Sequence, residues 1–504
     1  MDNNSSLSQS DIRFIGAFAA LKLLIHLPFL GRWGFHHDEL YFLACGRHLA
    51  FGYVDHSPMV PWIVRLAEEI MPGNLVFMRL FSVLAGVIAV VLTALLTRRL
   101  DGGRFAQALA CLTMITAPAF LRMNGVVCIP SFEIVFWIAA SYLALLAIDD
   151  QRPRLWLAVG GVSGLGLMTK HSLLFFGFGL AVAILLTPAR RGLKTPWIWA
   201  GGLLAFIIFL PNILWQIAND WPTLEFLRQA NERTMSGISP FQFLTGQVLY
   251  LGPGSAPVWL AGLFFFFATN EGRRFRLLGW IYVTALVVLI LLKSKIYYLM
   301  PAYPPLIAGG ALLWERLSAD RRWLRAVLPA LVVAGSLTLA PLSLPILSIP
   351  TTERFVDTIT FGAFENIFEL TGDLRGMFGW PERVDAVAEV YHGLPADERE
   401  TASIYAGWYG PAGAIDLLGP ARDLPPATSV HMSYHLWGPP EPLGTLIAVN
   451  TSVEGLSELF EEVHVAKEIT LENVNPWDET FRVILCRRPK VDLQARWPEL
   501  GRYY

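Results

Sequence analysis

The chain has 504 residues, of which 54% are hydrophobic and 16% charged, a balance that excludes both an ordinary soluble globular protein and a disordered one. With 39 basic and 41 acidic side chains the net charge is −2, which leaves no extended cationic surface for a nucleic acid, so no nucleic-acid partner is expected. A polytopic membrane protein fits these values.

Residues Met1 to Ser10 are polar, with one acid and no Lys or Arg. They lack the basic start of a cleaved signal peptide, so the first apolar span is expected to persist in the mature protein. A crossing takes ~20 mostly apolar residues. About eleven stretches approach this, near 12–30, 75–97, 105–121, 131–148, 155–169, 172–187, 197–217, 241–268, 277–292, 297–315 and 326–348.

Short connections holding Arg98, Arg99 and Arg104, Arg152 and Arg154, Arg190, Arg191 and Lys194, Arg273, Arg274 and Arg276, and Arg321, Arg322 and Arg325 belong on the cytoplasmic side. With eleven spans and a cytoplasmic N-terminus, the loop between residues 30 and 75, the 218–240 loop and everything after about residue 350 fall on the opposite face. That face has no supply of ATP or nucleotide sugar.

The first of these loops carries His36-His37-Asp38-Glu39-Leu40-Tyr41 and then Gly52-Tyr53-Val54-Asp55-His56-Ser57-Pro58. Carboxylates at the mouth of a membrane bundle are costly unless paired, metal-bound or used. The competing reading is a water-exposed loop whose acids merely solubilise it. The apolar spacing of Leu40, Tyr41, Leu43, Ala44 and Leu49, and of Val60, Trp62, Ile63, Leu66, Ala67 and Ile70, predicts two amphipathic helices lying in the membrane interface. They would hold both clusters at head-group depth.

Further along, Gly160, Gly161, Gly164 and Gly166 precede Lys170 without a GxxxxGK[ST] pattern, so close packing of spans is the expected role. Asn212 and Gln216, one turn apart, suit either contact with a donor or hydrogen bonding between helices, with packing favoured, and Gly252-Pro253-Gly254 should break or kink the eighth span, as a structural kink rather than a lateral opening for a polyprenyl chain. The four cysteines show no metal-site spacing; a Cys45–Cys128 disulfide and buried thiols are the two readings, with thiols favoured. After Pro350 the composition becomes that of a soluble domain. The division is a membrane domain over 1–350 and a C-terminal α/β domain over 351–504. Thr401–Tyr405, Thr445–Val449 and Phe481–Cys486 are predicted strands and Val453–Glu462 a helix. Ala406–Gly410 and His431–Gly438 follow presumed strands and gather aromatic and hydrogen-bonding side chains, suited to sugar or peptide binding or to packing beneath the domain.

Read together, several segments resemble the bacterial GT-C glycosyltransferases related to dolichyl-phosphate-mannose protein mannosyltransferases and lipid A aminoarabinose transferases. They are His37–Tyr41, Gly52–Pro58, Leu167-Met168-Thr169-Lys170, Pro211–Gln216 and Lys295–Pro305. The resemblance covers about residues 10–315 and implies a GT-C-like helical membrane fold in a bacterial plasma membrane. It also implies inverting transfer of a sugar from a polyprenyl-phosphate donor to an envelope glycan, lipid or protein acceptor outside the cytoplasm.

Position by position, Asp38 matches the family's first-loop acid, a general base or acceptor-orienting group, with Glu39 beside it. Glu133 matches a second acidic position, within a stretch that has Pro130 where relatives carry Asn. The leaving phosphate requires fixed positive charge in a dry site. Lys295, followed by Tyr297 and Tyr298, sits at an outer helix end against the charge trend, and Lys170 and His56 complete the candidate clamp. A snorkelling lysine at an aromatic belt is the alternative for Lys295. Asp55, Glu133 and His37 would shape the polar cavity. Asp38, Asp55, His56 and Glu133 could instead ligate Mg²⁺, Mn²⁺ or Zn²⁺. Two rival classes are a secondary transporter of a polar or anionic solute and a non-catalytic subunit that binds the lipid-linked sugar. The absence of repeats argues against the first and the presence of Asp38 against the second.

Overall fold

The computed structural model describes residues 7–233, 238–362, 367–442 and 444–503. Contacts divide the chain into two compact units: Met1–Leu30 with Arg79–Leu214 and Asn231–Ile346, and Gly31–Met78 with Trp215–Ala230 and Leu347–Tyr504.

The first unit is a bundle of apolar helices. Among the described residues, six helices are long and apolar enough to cross a membrane: Gln9–Phe29, Leu75–Arg99, Ile129–Asp149, Pro196–Ala218, Gly272–Leu291 and Ile296–Leu317. The count reaches nine if each of three sharply bent pairs is one span, and Leu155–Leu167 and Leu324–Leu337 are shorter apolar helices. All the stretches expected from sequence are therefore helical, but several are bent or short. The Gly252-Pro253-Gly254 break is a 92° corner between Pro240–Leu251 and Pro253–Ala268. Gly252 makes it possible with φ +82, and the ring of Pro253 cannot continue the ladder.

Glycines let the spans close to backbone contact. A Cβ on Gly160 would lie 2.0 Å from the Gly201 carbonyl oxygen, and one on Gly310 would lie 1.7 Å from that of Val258. Without a hydrophobic drive between helices in lipid, such close approach is what packing requires. The Arg-rich ends are laced by carboxylates. Arg99 pairs with Asp149 and Asp150, Arg274 with Asp149 at 3.1 Å, and Glu315 accepts from Gly103 N at 2.6 Å and Ala106 N at 3.1 Å, at the start of the Arg104–Thr116 helix.

The second unit is built on a five-stranded mixed sheet of order β2-β1-β3-β5-β4, with β1 Ala402–Ala406, β2 Ala427–Thr428, β3 Thr445–Val449, β4 Phe460–Thr470 and β5 Thr480–Pro489. β1 is parallel to β2 and β3, while β5 runs antiparallel to β3 and β4. The crossover from β1 to β2 contains the Tyr409–Leu418 helix.

The His37–Arg47 helix belongs to this core. Leu40, Tyr41, Ala44 and Cys45 are buried in one cluster with Val384, Val387, Ile404, Ala412, Ile415, Ile447 and Val483. Gly413 allows the approach, since a Cβ there would meet the Leu40 backbone at 2.9 Å. The compact unit around the C-terminal segment thus takes in two earlier stretches of chain that a linear boundary near residue 350 leaves out. The second predicted helix, Met59–Ile70, keeps the amphipathic pattern: Val60, Val64 and Ala67 are buried, and Leu66 and Ile70 are exposed. Among the described residues all four cysteines are free.

Candidate functional site

The polar residues read from the sequence fall into two clusters, one in each unit.

In the second unit, a capping box starts the His37–Arg47 helix. The His36 ring accepts from Asp38 N–H at 3.3 Å, and Glu39 accepts from His36 N–H at 2.8 Å. Glu39 is fully buried, so its carboxylate serves the helix terminus and the structure gives this candidate acid a capping task. Asp38, in the same first turn, faces the favourable end of the helix dipole and keeps its side chain 41% exposed. Tyr409 donates its hydroxyl to Asp38 Oδ1 at 2.8 Å, and His37 Nε2 lies 3.5 Å from the same oxygen. His36 Nδ1 is 3.8 Å from Oδ2. Burial pushes the Asp38 carboxyl up, but His37, His36 and the Tyr409 hydrogen bond outweigh it and hold the group below the usual carboxylate range.

Asp55 shows the opposite balance. Its Oδ1 accepts from the Tyr41 hydroxyl at 2.9 Å, and His56 Nε2 lies 3.9 Å away. Burial dominates here and raises the carboxyl above its ordinary value, against the pull of His56 and Tyr41. The Tyr41 oxygen is also 2.7 Å from Ser433 Oγ and accepts from Ser433 N–H at 3.1 Å. A phenol has one proton, so when Asp55 takes it, the serine hydroxyl must donate to Tyr41. His56, expected at the donor phosphate, is buried. Its Nδ1 donates to the Ser57 carbonyl at 2.9 Å, and Nε2 lies 3.9 Å from Cys45 Sγ.

Aromatic rings wall this cluster. Tyr41 stacks on Tyr409 with centroids 4.6 Å apart, Tyr409 on His431 at 5.2 Å, and Trp408 meets His37 edge-on at 5.6 Å. Tyr409, His431 and Ser433 join the site without a site signal of their own in the sequence. The only trace was the aromatic richness of the two segments that contain them, because a contact 371 residues away in sequence leaves no local pattern.

In the first unit, Glu133 is buried near the start of the Ile129–Asp149 helix. Its Oε1 accepts from Ser172 Oγ at 2.5 Å, and Lys170 Nζ lies 3.3 Å from Oε2. The Lys170 ammonium also sits over the rings of Tyr298 at 4.0 Å and Tyr297 at 5.2 Å, so Lys170, Glu133, Tyr297 and Tyr298 come together as a group. Next to Lys170, His171 Nε2 is 3.0 Å from Oδ1 of the buried Asn212. Lys295 is half-buried at the N-cap of the Ile296–Ala302 helix and makes no ion pair among the described residues. Gln216, in the second unit, donates to Thr223 at 2.7 Å, so it and Asn212 both make the side-chain contacts expected of packing residues.

Of the four residues considered as metal ligands, Asp38 falls in a group of donors within 4.8 Å of one another, with His36 and His37. The donor chemistry does not fit an ion. His36 Nδ1 accepts the helix-capping hydrogen bond, and Nε2 lies 3.1 Å from Asp373 Oδ1. Neither ring nitrogen has a lone pair free for a cation while the cap is intact, and two ligands do not make a site.

Residues 55–215 match the family model described as dolichyl-phosphate-mannose-protein mannosyltransferase. The lipid A galacturonosyltransferase RgtD of Rhizobium johnstonii is 27% identical over 267 residues, 51% of this chain and 55% of that protein, so the match spans about half of the curated relative. An uncharacterised protein of Aquifex aeolicus is 29% identical over 342 residues, 63% of this chain and 67% of its own. The ArnT crystal structure from Cupriavidus metallidurans bound to undecaprenyl phosphate superposes with a TM-score of 0.63 at 15% identity, over 98% of this chain and 100% of that one. The chain therefore has the GT-C fold of ArnT and resembles the GT-C glycosyltransferases, as its motifs imply.

Proposed function

We propose that this protein is an inverting glycosyltransferase of a bacterial plasma membrane that moves a sugar from a polyprenyl phosphate to an acceptor outside the cytoplasm. The observation that carries the reading is Asp38, an exposed-edge carboxylate that accepts the Tyr409 hydroxyl at 2.8 Å and has His37 Nε2 at 3.5 Å from the same oxygen. Asp38 accepts the proton of an acceptor hydroxyl as its oxygen attacks the anomeric carbon. The bond from that carbon to the phosphate oxygen breaks, and the polyprenyl phosphate leaves with the electron pair. The carboxylate orients the nucleophile through the same hydrogen bond along which it takes the proton. Such a group is worth roughly 10²–10⁴ in rate. Lys170 and Lys295, with Tyr297 and Tyr298, supply the positive charge and hydroxyls for the leaving phosphate.

The basic loops support an outward-facing site. The names of the relatives bring mannosyl and galacturonosyl donors and a lipid A acceptor into consideration. Purified protein in lipid, given labelled polyprenyl-phosphate hexoses, pentoses and uronic acids with envelope extract, should pass label into a non-prenyl product. Asp38→Asn should slow that passage by roughly 10²–10⁴. Undiminished transfer by Asp38→Asn would reject the assignment, and saturable solute uptake without transfer would favour a transporter.

A further inference from the structure

The C-terminal segment enters the acceptor side of the candidate centre through a pair of tyrosines. Tyr409 starts the helix after β1 and donates to Asp38 at 2.8 Å; Tyr41, on the first-loop helix, lies 2.9 Å from Asp55. The two rings stack at 4.6 Å with planes 26° apart, and His431 covers the far face of Tyr409. Each phenol therefore holds one of the two first-loop carboxylates, and the stack fixes the spacing between those phenols. Ser433 closes the arrangement, since its Oγ accepts from Val54 N–H at 3.1 Å and touches the Tyr41 oxygen. Both Val54 and Asp55 are thus tied to the same C-terminal turn.

We infer that Tyr409 is a positioning residue for the transfer reaction, setting the Asp38 carboxylate against the acceptor hydroxyl, so that the C-terminal segment completes the reaction centre. This rests on the glycosyltransferase reading above. A carboxylate on a free rotamer would leave the near-attack geometry for much of the time, and misplacement by ~1 Å costs as much as 10²-fold in rate. Loss of the phenol should therefore act on kcat while the donor side, built from other residues, is untouched.

The test compares wild type with Tyr409→Phe, Asp38→Asn and the double variant, measuring kcat, the KM for polyprenyl-phosphate sugar and the melting temperature in nanodiscs. Tyr409→Phe keeps the ring stack. It should lower kcat by about 10- to 100-fold with an unchanged donor KM and melting temperature. The double variant should be no slower than Asp38→Asn alone, since a residue acting only through Asp38 has nothing further to lose. Wild-type kcat in Tyr409→Phe, beside a slowed Asp38→Asn, would overturn the positioning role and leave the glycosyltransferase reading standing. Full activity in Asp38→Asn would instead overturn that reading. A further loss in the double variant would also reject the inference. If Tyr409→Phe melts early, 3-fluorotyrosine at position 409 keeps the shape and alters the hydroxyl's acidity; an unchanged kcat there would count against the role, a changed one for it.

Discussion

Replacing Lys170 with Met separates the structural from the chemical task of the first-unit cluster. Glu133 is 1% exposed, and its Oε2 has Lys170 as its ion partner at 3.3 Å, while Ser172 serves the other oxygen. Removing one member of a buried pair costs roughly 3–5 kcal/mol, because the other charge stays desolvated. Lys170 is 15% exposed and its contact is longer than an aligned charged hydrogen bond, which places the loss near the lower end, about 3 kcal/mol. Loss of the cation above Tyr297 and Tyr298 adds ~1 kcal/mol. Removing the orphaned charge as well, in Lys170→Met with Glu133→Leu, should restore most of the melting temperature in nanodiscs. It should not restore binding of a polyprenyl phosphate, measured by displacement of a labelled analogue. A single Lys170→Met variant that melts and binds as wild type would refute both halves of the reasoning; recovery of lipid binding in the double variant would refute the assignment of Lys170 to the phosphate.

Asp38→Asn should reduce transfer by roughly 10²–10⁴ while changing stability by less than about 1 kcal/mol, since the side chain is 41% exposed and its ion contacts are long; kinetics and melting on one preparation check both. Gly160→Ala should lower the melting temperature measurably, at a cost of about 1–3 kcal/mol, because the new methyl would sit 2.0 Å from the Gly201 carbonyl oxygen; Gly161→Ala, whose nearest neighbour is 3.9 Å away, should be silent. Burial, with Arg502 contributing, lowers the His431 pKa from 6.5 to about 4, so the unfolded chain binds the extra proton first as pH falls. Stability from this group is full above about pH 6.5 and lost toward pH 4, amounting to ~3 kcal/mol at roughly 1.4 kcal/mol per pH unit, and His431→Asn should flatten that part of the melting profile.

What the sequence discloses here follows from the range of the interaction. Apolar runs, the Gly252-Pro253-Gly254 corner and the close-packed Gly160 and Gly164 rest on local chemistry and are readable without partners. So is β3, whose five residues are all buried. β4 is hidden because it is an edge strand, mostly exposed and carrying Glu461, Glu462, Lys467 and Glu468, so its pattern resembles a solvated helix or loop. The predicted helix from Val453 accordingly stops at Leu459, and Phe460 begins the strand. Glu39 and Asp38 are neighbours with the same side-chain chemistry at different lengths. Only the capping geometry separates the helix-terminal carboxylate from the one offered to Tyr409. The burial of the first-loop helix was unreadable for the same reason as Tyr409, since its covering residues come from the far end of the chain.

A unit assembled from residues 31–78, 215–230 and 347–504 also has a timetable. Asp38 leaves the ribosome 371 residues ahead of the tyrosine that holds it, an interval of roughly 20–70 s at ordinary synthesis rates. Throughout it, the His37–Arg47 helix lacks the sheet that buries Leu40 and Tyr41, and the two carboxylates have no fixed spacing. Burial of the first-loop helix and the hydrogen bond to Asp38 therefore wait on the segment that carries β1 and Tyr409, and a chain cut short before β1 has neither.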